Sequence, residues 1–206
     1  MDRKQKGFTL IEILVVVTII GVLAGLVVVL IPKGREKANQ AQCTNNIKQL
    51  CQTLISLDGT KFPKQSGVNL MLYLFKGGHL AKSEENFQLL FCPGDEFDSW
   101  EDTGGVTAYN EASLDRQGEN GELSSYAGRD QLDRACAAKK ASTDSLALMA
   151  DDSEDHHGGL GFVIGYTNAS VQFKRKFEDW KIDVDTEVKV GEGSEIEVLQ
   201  CLRTDD

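Results

Sequence analysis

The polarity of the chain falls into three stretches. A short basic head, Met1 to Lys6, ends at Gly7. An apolar run then starts at Phe8 and continues to Ile31, and no residue from Ile13 to Ile31 is charged. At the helical rise this uncharged part is about 28 Å long, enough to cross the hydrocarbon core of a bilayer. Beyond Pro32 the apolar positions thin out to a helical period. Cys43, Ile47, Leu50, Cys51, Leu54 and Ile55 fall on one stripe, while Asn39, Gln40, Asn45, Asn46, Lys48 and Gln49 lie mostly off it. The pattern predicts one long helix over about residues 8–57, stopped by Asp58-Gly59, with Pro32 placed to interrupt its hydrogen bonding near the membrane surface.

From residue 59 onward the period changes. Leu70 to Phe75, closed by Gly77-Gly78, predicts a short helix, and Phe87 to Asp95 a short apolar piece ending in a turn. Residues 94–131 are rich in Gly, Asp, Glu, Ser and Asn and predict a long irregular excursion. Ser145 to Met149 predicts a strand. Gly161 to Tyr166 and Val171 to Lys174, around Thr167 to Ser170, predict a hairpin. The alternations over Asp183 to Lys189 and Glu195 to Leu199 predict two half-buried strands. A long helix followed by a small antiparallel β-sheet head is an α+β class, divided as residues 1–7, 8–31, 32–58 and 59–206.

Charge sharpens this division. The chain of 206 residues carries a formal net charge of −10. Residues 1–7 hold +2 and Glu12 holds −1, so residues 32–206 hold −11. A head this acidic is unlike a nucleic-acid binder, which presents a basic face. Basic residues flank the apolar run on both sides (Arg3, Lys4 and Lys6; Lys33, Arg35 and Lys37), so the positive-inside rule does not orient it.

The one carboxylate inside the apolar segment is Glu12. A charge there costs several kcal/mol, on the order of a lost partner's worth, unless a cation meets it. A secretory signal peptide has a shorter apolar core and a small-residue cleavage site, whereas this run leads into Pro32-Lys33-Gly34-Arg35. A plain signal anchor gives no reason for Glu12 or for Gly7 before Phe8. The residues KGFTLIEILVVVTIIGVL resemble the leader and helix start of type IV pilins and type II secretion pseudopilins.

That resemblance implies cleavage between Gly7 and Phe8 by a prepilin peptidase and N-methylation of Phe8. It implies an ion pair between Glu12 and the Phe8 amine of a neighbouring subunit. It also implies a single-pass inner-membrane protein, N-terminus in the cytoplasm and head in the periplasm. Its partners would be copies of itself, other pseudopilins, an assembly platform and membrane lipid. A second set of fragments is similar to the pseudopilin-like proteins of Planctomycetes: AQCTNNIKQL, Phe91-Cys92-Pro93-Gly94-Asp95, Ser124 to Gly128, and His156-His157-Gly158-Gly159 before a hairpin. That group often has Asp-Gly at the hairpin turn. Asn168-Ala169 stands there in this chain and disfavours a tight type I′ turn.

Five cysteines bear on a head outside the cytoplasm. Cys43 and Cys51 are about 12 Å apart along one helix and do not bond each other. Cys43–Cys92 is the preferred disulfide, with Cys51, Cys136 and Cys201 competing for a second. Buried free thiols are the alternative, and an odd count leaves at least one. The lack of a CxxC pair speaks against zinc.

Asp151, Asp152, Glu154, Asp155, His156 and His157 are the densest set of ligand-type side chains. They are read either as a divalent-cation site, calcium being favoured where carboxylates dominate, or as a solvated acidic turn. No catalytic constellation accompanies them, since Ser153 lies in no nucleophile elbow near His157. The sequence therefore supports a structural fibre subunit. The alternative is a membrane-anchored binding module that uses the acidic loop for metal or a secreted substrate.

Overall fold

In a computed structural model the described residues are 9–59, 61–95, 103, 105–114, 123–140, 145–183 and 185–204. The chain divides into two units, Met1–Ala38 and Asn39–Asp206.

Helix α1 (Leu10–Ser56) runs unbroken through Pro32. From Ile13 to Ile31 it carries no charge, and among the described side chains Ile13, Val17, Ile20, Leu23 and Ile31 are each at least half exposed. A helix with no polar face demands an apolar surrounding, and the length and hydropathy of this one suffice for a membrane span.

In the second unit the stripe read from the sequence is the inner face of α1. Cys43, Ile47, Leu50, Cys51 and Leu54 are fully buried, and Ile55 is half-buried. Helix α2 (Val68–Lys76) follows and buries most of its surface. It ends where the N–H groups of His79 and Leu80 both turn back to the Leu74 carbonyl, with Gly78 at φ +74°. Helices α3 (Glu84–Phe87) and α4 (Gly105–Glu111) add an aromatic cluster in which Phe87 stacks on Tyr109 at 3.9 Å between ring centres.

The sheet is antiparallel, with strands β1 (Tyr126–Arg129), β2 (Ala147–Asp151), β3 (Gly161–Tyr166), β4 (Val171–Arg175) and β5 (Leu202–Arg203) in the order β4-β3-β2-β1-β5. Two apolar clusters sandwich it. Val163, Leu148 and Met149 join the cluster that holds α1 and α2. Phe162, Ile164, Ala150 and Ala147 face the other, completed by Val188, Ile196, Leu199 and Leu202. Leu148 and Met149 are consecutive yet share a side, because the β2–β3 register shifts between Ala147 and Met149. The α+β class expected from the sequence is what forms.

Four local expectations differ. Tyr126–Arg129, inside the expected irregular excursion, is an interior strand buried at all four positions, so it shows no alternation to read. Gly105–Glu111, in the same excursion, is α4. Among the described residues no strand forms over Asp183 to Lys189 or Glu195 to Leu199. Their apolar residues still enter the second cluster, but Gly191 and Gly193, at φ +106° and +90°, turn the backbone, and Glu197–Leu199 is a 3₁₀ turn. The alternation records burial of every second residue, which an irregular segment satisfies as well as a strand does.

The hairpin forms as expected. Its turn has Ala169 in the left-handed region at φ +63°, with Asn168 Oδ1 accepting from the Ser170 N–H and hydroxyl.

Candidate functional site

Two regions hold the residues singled out by the sequence. The first is the start of α1. Gly7 and Phe8 lie outside the described residues. Thr9 precedes the helix and Glu12 stands in its first turn. The Thr9 N–H donates to Glu12 Oε2 at 2.7 Å, and the Thr9 hydroxyl donates to the same oxygen at 2.8 Å. In return the Glu12 N–H reaches Thr9 Oγ1 at 3.4 Å. This is a capping box, in which two helix-start donors are satisfied reciprocally. Its Thr-x-x-Glu signature is legible in the sequence as Thr9 and Glu12. No cation meets Glu12 among the described residues.

The second region lies wholly within the Asn39–Asp206 unit, at one end of β2. Asp151 closes β2 on the face toward α1 and is fully buried. Its Oδ2 accepts the Val163 N–H from β3 at 2.6 Å. Its Oδ1 accepts from the Cys43 thiol of α1 at 3.0 Å. The 3₁₀ turn Glu154–His157 brings two imidazoles back over it, with His157 Nε2 at 3.3 Å from Oδ2 and His156 Nδ1 at 3.8 Å from Oδ1. His156 Nε2 meets Asp95 at 3.1 Å and Asp152 at 3.3 Å.

Cys92 closes the set from the Phe91-Cys92-Pro93-Gly94 turn, its Sγ 3.8 Å from His157 Nε2. That turn is fastened to α1 by the Asn46 amide, which donates to the Phe91 carbonyl at 3.1 Å. Gly94 is required there: a Cβ would overlap the His156 carbonyl oxygen. AQCTNNIKQL, FCPGD and the His-His-Gly-Gly run are three walls of one cluster.

Burial sets the ionisation. Desolvation alone would push Asp151 up, but hydrogen bonds from His156 and His157 outweigh it and hold the carboxyl at about 2. Desolvation would push His157 down, yet Asp151 and Cys92 carry it up to about 10. His156 is raised in the same sense, against its own burial, by Asp151 and Asp95. Burial pushes the Cys43 thiol up, and Cys92, beside Cys43 and the two imidazoles, is drawn down as a thiolate.

This corrects several expectations. Cys43 and Cys92 are free thiols, as is Cys51, so the preferred Cys43–Cys92 disulfide is not made. The Cys43 hydrogen is directed at Asp151, and the disulfide is instead Cys136–Cys201, with Cα atoms 5.3 Å apart. It ties the segment after β1 to the approach to β5. The solvated-turn reading fails for Asp151, His156 and His157, which are buried. Of the five residues read as a calcium set, Asp151 and His157 converge. Asp152 turns to His156, and the side chains of Glu154 and Asp155 lie outside those described. A docking surface built on the acidic loop loses Asp151, His156 and His157 to the interior.

The prokaryotic N-terminal methylation motif matches residues 2–28. Over its N-terminal third the chain is similar to type II secretion system core protein G of several bacteria. It is 43% identical to that of Dickeya chrysanthemi over 65 residues, 31% of this chain and 42% of the relative. It is 45% identical to that of Escherichia coli (strain K12) over 62 residues, 29% of this chain and 43% of the relative. With Pseudomonas aeruginosa the figure is 41% over 76 residues, 34% of this chain and 51% of the relative. The chain therefore spans about half, or less, of the length of the curated relatives it matches. No solved structure matches it.

Proposed function

We propose that this chain is a pseudopilin subunit, cleaved between Gly7 and Phe8 by a prepilin peptidase, methylated at Phe8, and assembled through α1 into a type II secretion pseudopilus. The observation that carries the reading is Glu12, the one carboxylate in the apolar stretch from Phe8 to Ile31, inside a matched methylation motif. That carboxylate is capped by Thr9 and meets no cation among the described residues. The amine of a neighbouring Phe8 supplies the cation when both are withdrawn from water, and the pair fixes the axial register between subunits. The acidic head stays outside, kept soluble by its charge. The work of such a subunit is mechanical, so its partners are other subunits, the peptidase, an inner-membrane assembly platform and lipid.

Intact mass and N-terminal sequencing of the membrane-extracted protein test the reading. A chain beginning at methylated Phe8 is expected. A chain still beginning at Met1, in cells with an active prepilin peptidase, overturns it.

A further inference from the structure

Four side chains from four separate segments point their donor atoms into one buried space: Cys43 from α1, Cys92 from the turn after α3, Asp151 from β2 and His157 from the 3₁₀ turn before β3. All four are buried, and their sulfur, oxygen and nitrogen atoms lie within 4.8 Å of one another. We propose that these four residues form a structural zinc site in the head.

The donor set is the one a borderline-soft divalent cation takes: two thiols, an imidazole and a carboxylate, with four ligands and none left over for solvent. Calcium, by contrast, asks for six or more oxygens, and only one carboxylate is here. The spacing agrees with a tetrahedron. With zinc–sulfur bonds of about 2.3 Å and zinc–nitrogen or zinc–oxygen bonds of about 2.0–2.1 Å, its edges are about 3.3–3.8 Å. The distances found are 3.0 Å from Cys43 Sγ to Asp151 Oδ1, 3.8 Å from Cys92 Sγ to His157 Nε2, and 3.3 Å from His157 Nε2 to the other carboxylate oxygen, Oδ2; the four donor atoms, one per residue, lie within 4.8 Å of one another and close by a small movement onto one ion.

Outer contacts are in place as well. The Val163 N–H holds Asp151 Oδ2, leaving Oδ1 toward Cys43, and the ring of His157 is set edge-on to Phe173 at 5.5 Å. Zinc binding here displaces the Cys43 thiol proton and any proton on His157, which leave to solvent; Cys92 already stands as a thiolate, and no redox change is involved. Bound metal would pin α1, β2 and two loops at one point and keep Cys43 and Cys92 from being oxidised in an oxidising compartment.

The test uses the full-length protein, extracted from membranes without chelator. Metal analysis and native mass spectrometry read its zinc content, and alkylation under denaturing conditions reads its thiols. One zinc per chain is expected, with Cys43 and Cys92 alkylated only after the metal is removed. Cobalt(II) added to the stripped protein should give the intense visible bands of a tetrahedral site with a thiolate charge-transfer band. Cys92→Ser and Asp151→Asn should each lower zinc occupancy at least about tenfold, and Cys51→Ser, which removes a buried thiol outside the set, should leave it unchanged.

Because a ligand variant can fail to fold, the wild-type arms stand alone. A Cys43–Cys92 disulfide in the extracted protein overturns the proposal. So does a metal-free protein that takes up no zinc or cobalt, or binding that survives both ligand substitutions.

Discussion

Thr9 and Glu12 hold each other at the start of α1, each side chain bonded to the other's backbone N–H. The same carboxylate therefore has two separable tasks, starting the helix and carrying the charge that a neighbouring subunit would answer. Glu12→Gln keeps an acceptor for Thr9 and removes the charge. Glu12→Ala removes both. We expect both variants to insert in the membrane and both to fail in fibre assembly, with helix-start loosening of about 1 kcal/mol in the Ala variant alone. Assembly is read by shearing and immunoblotting of surface fibres under overexpression. Normal assembly of Glu12→Gln would remove the ion pair from the account.

Gly165 on β3 lies directly under α1. A Cβ there would stand 2.5 Å from Cys51 Sγ and 2.6 Å from Ile47 Cγ2. Both neighbours are fully buried and have nowhere to move. Gly165→Ala should destabilise the head by about 1–3 kcal/mol. Thermal unfolding followed by circular dichroism checks this, and a change below about 0.5 kcal/mol would mean the helix and sheet are not in this contact.

Ala169 gives the opposite sign. It occupies φ +63° at the hairpin turn, where an L side chain costs about 1 kcal/mol relative to glycine. Ala169→Gly should raise stability by about that much, less the extra freedom glycine has in the unfolded chain. Equilibrium denaturation of the two proteins side by side measures it.

The buried cluster sets a pH optimum for the metal-stripped head. His157 is raised to about 10 and His156 is raised too, so both keep protons that the unfolded chain releases above about 6.5. Their stabilisation is complete below that pH and is lost as pH rises. Cys43 is also raised and adds to the loss above about 8.5. Cys92 and Asp151, the latter at about 2, are depressed, so their stabilisation is present at higher pH and is lost as pH falls. Asp95, Asp152 and Tyr126 are the other ionisable groups around the cluster. Two retained histidine protons outweigh one lost Cys92 proton. Stability should therefore fall from about pH 6.5 upward, and more steeply above about 8.5. Urea midpoints between pH 5 and 9 read the slope. The zinc-loaded protein should instead keep gaining stability as pH rises through about 6.5, where the stripped head begins to lose it, because its ligands bind metal as protons leave.

What the sequence determined by itself is what short-range periodicity and local chemistry encode. The long helix, its membrane-length apolar half and the buried stripe from Cys43 to Leu54 follow from spacing alone, since a helical face repeats every three or four residues. The hairpin over Gly161 to Arg175 follows from two apolar runs around a polar turn. Glu12 declares itself because one charge in an uncharged run has no neutral explanation.

The tertiary structure alone decided what depends on distant residues. Tyr126–Arg129 became a strand because β2 and β5 take its hydrogen bonds, and full burial erased the alternation that marks a half-exposed strand. The stretches near Val188 and Ile196 alternate without pairing, because apolar burial needs no ladder. The cysteines followed the same rule. Cys136 pairs with Cys201, 65 residues away, while Cys43 and Cys92 converge on Asp151 and His157. A missing CxxC spacing excludes only a local zinc motif. It is silent about four ligands delivered by a helix, a turn, a strand and a loop, which are neighbours only once the chain has folded.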